Sequence, residues 1–119
     1  MELHRLTAHE LLEKYRSGEV APVEAVEDVY AQIEKHDDSI KAYITLTKDQ
    51  ALERARQLES GDKSLPLYGV PVSVKDNMCT TGVKTSCASK ILESFVPPYD
   101  AAIVKKLKDA GAVILGKSN

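Results

Sequence analysis

The sequence predicts an α/β fold in which a mixed, largely parallel sheet is covered by helices. Apolar residues recur at helical spacing through the first 60 positions. Further on, valines alternate at 70, 72 and 74, as they do along one face of a strand. A continuous apolar run at 112–115 then follows another helical pattern, and strand–helix–strand is the unit that builds parallel sheets.

Two helices open the chain, predicted over 7–17 and 22–36. Thr7-Ala8-His9-Glu10 has the capping-box pattern, in which side chain and backbone satisfy each other's hydrogen bonds. Gly18 is typical of a helix end, and Pro22 suits the first turn of the second helix.

A short strand and a third helix follow. The β-prone run 42–46 predicts the strand. Thr47-Lys48-Asp49-Gln50 resembles a second capping box and predicts a helix through Leu58. We therefore divide one domain into a mainly helical part, 1–61, and a strand–loop–helix–strand part, 62–119.

The second part is predicted to begin with a strand at 72–75 and a long polar loop at 77–89. Asp100 is the expected cap of a helix that ends at Gly111, and the run 112–115 resembles a strand buried on both faces. So small a sheet would leave edges and apolar surface exposed. We therefore expect these residues to be an N-terminal, truncated piece of a larger fold with little stability of its own.

Composition excludes several classes of protein. Sixteen basic and 18 acidic residues give a net charge of -2, so no positive excess favours nucleic acid. No apolar run is long enough to span a membrane, and the N-terminus has no secretory pattern. Two cysteines, Cys79 and Cys87, do not have zinc-site spacing, and reduced thiols predict a cytoplasmic protein without a metal site. The histidines at 4, 9 and 36 are expected to be solvated.

Residues 111–118 match the phosphate-loop pattern G-x-x-x-x-G-K-S letter for letter. That loop needs a preceding strand and a following helix. Here a helix precedes Gly111 and the middle residues are strand-like, so we interpret the match as coincidental.

Lys75 is the residue whose position suggests chemistry, because it ends an apolar strand and opens the polar loop. A strand-end lysine can simply reach solvent, paired with Asp76. A catalytic lysine must instead lose its proton, which burial on the strand would favour.

Cys79 and Cys87 lie in the same loop that Lys75 opens. No histidine is near them in sequence, and both are expected to be packed thiols.

Several segments together resemble the amidase signature family, in the family's order and across the chain. They are 69–77 (GVPVSVKDN), 81–86, 89–90, 100–107 and 110–119. The resemblance implies a serine–serine–lysine catalytic set, with the lysine at Lys75. Both serines belong to family segments downstream of Asn119, and Ser73, Ser86, Ser89 and Ser118 do not match them. Residues 1–119 alone are therefore expected to be inactive.

Within the family, the N-terminal helices most resemble the glutamine-hydrolysing subunits of tRNA-dependent amidotransferases. This implies that glutamine is the substrate and that other subunits use the ammonia to convert Glu-tRNA(Gln) to Gln-tRNA(Gln). ATP, Mg²⁺ and tRNA would then be bound by a partner subunit, with no cofactor on this chain and no membrane contact. Two alternatives stay open: a stand-alone amidase of the same family, and a short non-enzymatic interaction module.

Overall fold

The computed structural model describes residues 2–119, which form four α-helices and one three-stranded sheet. This confirms the predicted α/β class. In chain order the elements are α1 (Ala8–Ser17), α2 (Pro22–Ile40), β1 (Tyr43–Leu46), α3 (Lys48–Glu59), β2 (Pro71–Lys75), α4 (Ala102–Asp109) and β3 (Val113–Ser118), with short 3₁₀ turns at Leu3–Arg5 and Lys90–Leu92.

The sheet has the order β1-β3-β2, so β3 is its central strand. β2 and β3 run parallel and are joined through α4, which confirms the predicted strand–helix–strand unit. β1 pairs with β3 in the antiparallel direction, so the sheet is mixed. In the β2–β3 register Val74 lies opposite Lys117, and Lys75 lies opposite Ser118.

The first two helices begin where the sequence predicts. The Thr7 hydroxyl accepts from the Glu10 N–H at 3.2 Å, and Glu10 Oε2 accepts from the Thr7 N–H at 2.8 Å, which confirms the capping box. α2 continues to Ile40, four residues beyond the predicted end. Nothing before Lys41, which has a left-handed φ of 57°, interrupts the helix.

The second predicted capping box, at Thr47, is wrong. Thr47 precedes α3 but makes no side-chain cap. Its hydroxyl donates instead to the Ile114 carbonyl at 3.2 Å, and its N–H donates to the Leu115 carbonyl at 3.0 Å. Thr47 is buried against β3, where a carbonyl is a better partner than the exposed start of α3.

The prediction that Asp100 caps α4 is also wrong, since the residue at the cap position is Ala101. The Asp100 carboxylate accepts from the Thr81 N–H at 2.8 Å and from Lys108 Nζ at 3.0 Å. Burial alone would raise the pKa of Asp100, but these hydrogen bonds outweigh it and the pKa is lowered. Asp100 thus ties the loop after β2 to α4.

Replacing Asp100 by Asn is expected to lower the free energy of unfolding by about 1–2 kcal/mol at pH 7. Because the pKa of the folded carboxyl is lowered, its contribution is complete above the ordinary value of about 3.9 and is lost as pH falls below it. Urea titrations at pH 7 and pH 3 should show the difference shrinking at pH 3. Asp109→Asn, which breaks only an exposed pair with Lys105, is the control and should cost less; an equal cost would contradict the prediction.

Helices α1, α2 and α3 form the core with the sheet, and tyrosines link them to the strands. The Tyr30 hydroxyl donates to the Leu115 carbonyl at 2.5 Å, and burial raises the pKa of Tyr30 to about 12. The Tyr15 hydroxyl donates to the Gly69 carbonyl at 2.9 Å.

Gly69 has a φ of +69°, and a Cβ there would lie 2.9 Å from atoms of Tyr15 and Pro22. Glycine is therefore required where the chain enters β2.

No helix within residues 2–119 is both long and apolar enough to cross a bilayer.

Candidate active site around Lys75

Lys75 is the last residue of β2, at the edge of the sheet. The predicted alternation holds here, because Val74 is buried while Ser73 and Lys75 are exposed. Of the two alternatives for Lys75, the exposed position is the one found: its side chain points away from the core, and no strand of residues 2–119 covers that edge. Nor does its ammonium bond to Asp76 or to any other group in this part of the chain. The amine is available to a reacting partner.

Lys75 borders a small cleft of about 120 Å³. The cleft is formed where β2 and β3 end and the loop returns, and it is lined by Lys75, Asp76, Asn77, Cys87, Ala88, Ser118 and Asn119. A larger cleft of about 390 Å³ lies between α3, α4 and the loop and shares no residue with the first. The chemistry suggested by Lys75 therefore belongs to the smaller cleft.

The residue that follows Lys75 is fixed by its backbone and by its carboxylate. The Asp76 N–H donates to the Ser118 carbonyl at 2.8 Å, and the Asp76 carbonyl accepts from the Cys87 N–H at 3.0 Å. Asp76 Oδ2 accepts from both the N–H and the hydroxyl of Ser86. With only 2% of its surface exposed, Asp76 is a buried anchor rather than a solvated acid.

A buried lysine, Lys117, lies behind the loop. Its Nζ donates to the Met78 carbonyl at 2.6 Å, to the Thr85 hydroxyl at 2.9 Å and to the Thr80 hydroxyl at 3.0 Å. Asp76 Oδ1 is 3.9 Å away and has no hydrogen-bond partner in the described residues. Burial lowers the pKa of Lys117, while the nearby Asp76 carboxylate acts in the opposite direction.

Sequence reasoning missed Lys117, although a signal for it was present. The strand was predicted to end at 115, but β3 continues to Ser118. Val113, Leu115 and Lys117 alternate, and all three are buried. Two-residue periodicity extended past the apolar run would have indicated an inward-pointing lysine.

The geometry of residues 111–118 agrees with rejecting a phosphate loop. Val113–Ser118 is an extended strand, and all three donors of the Lys117 ammonium are already used. These residues do not fit a nucleotide.

The cysteines differ from each other. Cys79 is half-buried and its Sγ lies 3.3 Å from the Tyr99 hydroxyl, as expected of a packed thiol. Cys87 is exposed, so the prediction that it is packed is wrong. Its left-handed φ of 53° belongs to the tight return of the loop.

The histidines differ too: His9 is exposed as expected, while His4 is half-buried and bonds Asp28 at 2.7 Å. No cluster of three His, Cys, Asp or Glu in the described range could hold a metal ion.

Residues 24–119 match the model of the amidase family. The chain belongs to this family, which confirms the resemblance seen in its sequence. In Natranaerobius thermophilus, the A-subunit of glutamyl-tRNA(Gln) amidotransferase is 51% identical over all of the chain, which covers 25% of that protein. The chain thus spans about a quarter of the length of the curated relatives that it matches.

Solved structures show the same fold. The peptide amidase of Stenotrophomonas maltophilia superposes with a TM-score of 0.89 at 31% identity, over 97% of this chain and 25% of its own. The A-subunit of glutamyl-tRNA(Gln) amidotransferase from Thermotoga maritima gives 0.77 at 31% identity, over 100% of this chain and 24% of its own. The α/β arrangement described here is therefore part of the amidase fold.

Proposed function

We propose that these residues form the N-terminal part of the glutamine-hydrolysing subunit of a tRNA-dependent amidotransferase. The complete subunit would release ammonia from glutamine, and other subunits would use it, with ATP and Mg²⁺, to convert Glu-tRNA(Gln) to Gln-tRNA(Gln). Identity to an amidotransferase A-subunit over the whole chain supports this choice within the family. ATP, Mg²⁺ and tRNA are assigned to a partner, and the complex to the cytoplasm.

The proposed reaction gives Lys75 the role of a proton carrier. Lys75, in its neutral amine form, takes the proton of the bridging serine, which in turn takes the proton of the nucleophilic serine. The nucleophile attacks the side-chain carbonyl of glutamine, an ester bond to the enzyme forms, and the C–N bond breaks. The leaving nitrogen receives the relayed proton and departs as ammonia, and water then hydrolyses the ester to glutamate.

The position of Lys75 is the observation that carries this proposal. A proton carrier needs an amine that is unpaired, reachable and attached to a fixed backbone. Lys75 ends a strand, its ammonium has no partner among residues 2–119, and the Met78 N–H donates to its carbonyl at 3.0 Å. The amine is therefore attached to a fixed point at the border of the cleft.

The full subunit in its amidotransferase complex provides the test. Ammonia release is expected with glutamine, together with Gln-tRNA formation when Glu-tRNA(Gln) and ATP are present. Residues 1–119 alone should release none, because the resemblance places both serines outside them and loss of the nucleophile removes most of the rate enhancement. Ammonia release by residues 1–119 would contradict the proposal.

A stand-alone amidase is the second candidate, favoured by the superposition with the peptide amidase. Rapid hydrolysis of a C-terminal peptide amide without glutamine-dependent release of ammonia would establish it. Lys75 would keep the same role, since only the acyl group differs.

A further inference from the structure

We infer that the buried pair of Asp76 and Lys117 positions Lys75 for proton transfer. The pair does so by fixing the loop at 77–89, which follows Lys75 in the chain. This role rests on the proposed function of Lys75. Neither residue reaches the substrate in this arrangement, so both are positioning residues.

Lys117 holds the loop after Lys75 from β3. It lies opposite Val74, the residue before Lys75, and its side chain reaches the start of the loop at Met78. The three hydrogen bonds of its Nζ are made to residues at 78, 80 and 85. An ammonium has only three N–H donors, so this side chain is committed to the loop.

Asp76 fixes the returning limb of the same loop. Its Oδ2 accepts from the N–H and hydroxyl of Ser86 and lies 3.5 Å from the Ala88 nitrogen. Its carbonyl accepts from the Cys87 N–H. The returning limb is therefore held at the residue that directly follows Lys75.

Asp76 and Lys117 act as one unit, a clamp on the loop, because the charges of the carboxylate and the ammonium compensate each other. Asp76 Oδ1 and Lys117 Nζ lie 3.9 Å apart, with side-chain exposures of 3% and 0%. In every other ion pair between described residues, both side chains are at least 19% exposed. A buried pair of this kind holds each partner in place, since separating them would leave a charge uncompensated.

Lys75 needs such a support because its own ammonium is held by nothing in residues 2–119. A long, exposed lysine side chain is placed only as accurately as its backbone. Misplacing a reacting group by about 1 Å can cost roughly 100-fold in rate. Loosening the clamp should therefore lower kcat more than it raises KM.

Ser86→Ala, made in the full subunit within its complex, loosens the clamp with the smallest change. It removes the hydroxyl bonded to Asp76 and keeps the charges of the buried pair. We expect kcat for glutamine hydrolysis to fall about tenfold, with KM within about twofold. Ser89→Ala is the matched control, because the Ser89 hydroxyl only accepts from the Ile91 N–H, and its kcat should stay within about twofold of wild type.

A second pair of variants keeps the test independent of any folding defect in the first. Thr85→Val removes one acceptor of the Lys117 ammonium, and Thr85→Ser restores a hydroxyl. The kcat of the valine variant should fall about tenfold, and the serine variant should recover most of it.

Hydrogen exchange reports on the loop directly. Exchange at the Cys87 and Ala88 amides should become faster in Ser86→Ala but not in Ser89→Ala.

Lys75→Ala, assayed alongside, separates the two proposals. If it is inactive while Ser86→Ala and Thr85→Val match their controls in kcat, the positioning role is wrong and the catalytic role survives. If Ser86→Ala raises KM and leaves kcat unchanged, the loop binds substrate and the positioning role is again wrong. If Lys75→Ala keeps its activity, both proposals are overturned.

Discussion

Lys75→Ala in the full subunit is expected to reduce kcat for glutamine hydrolysis by about 1,000-fold or more, the usual loss when a member of a catalytic set is removed. Lys75 is exposed and makes no contact through its ammonium in the described chain, so its removal should leave the fold intact. Steady-state ammonia release, with circular dichroism to confirm folding, is the measurement.

Two further variants show what Lys75 contributes. Lys75→Arg keeps the positive charge but cannot give up a proton at ordinary pH, so it should be as inactive as Lys75→Ala. Lys84→Ala removes an exposed lysine from the same loop and should be fully active. An active Lys75→Arg would show that Lys75 supplies charge rather than proton transfer, and an active Lys75→Ala would remove it from the reaction.

The elements that local patterns could predict are the ones determined by local physics. The first capping box depends on residues three apart, and the alternation through Val74 depends on neighbours two apart. Helices α1 to α4 and all three strands were predicted, with ends that differ by a few residues. Where prediction failed, at Thr47 and Asp100, a distant partner competed with the local one: the Ile114 carbonyl for Thr47 and the Thr81 N–H for Asp100.

The residues of the candidate site also differ in whether the local sequence reveals them. Lys75 could be singled out because its strand end and its loop are adjacent in the sequence. Lys117 could not be recognised as part of the same site, because its three acceptors lie 32 to 39 residues away in the chain. Its burial also depends on the register in which β3 pairs with β2, which sequence periodicity does not specify.

Lys117→Met is expected to have the largest effect on stability, lowering the free energy of unfolding by about 3–5 kcal/mol. Methionine fills much of the same space but leaves the Asp76 carboxylate buried without its cation. At 3.9 Å the attraction lost is of order 4 kcal/mol at an effective dielectric constant of about 20. The Met78 carbonyl also loses its hydrogen bond from Nζ. Urea unfolding of the full subunit, followed by far-UV circular dichroism, measures the change.

The double variant Lys117→Met with Asp76→Asn distinguishes lost charge compensation from lost packing. Neutralising both partners removes the uncompensated carboxylate, so at least half of the lost stability should return. Lys106→Met changes an exposed lysine on α4 and should stay within about 0.5 kcal/mol of wild type. If the double variant is no more stable than Lys117→Met alone, the loss comes from the severed hydrogen bonds of the loop. The role of Asp76 would then be to hold Ser86 rather than to balance Lys117.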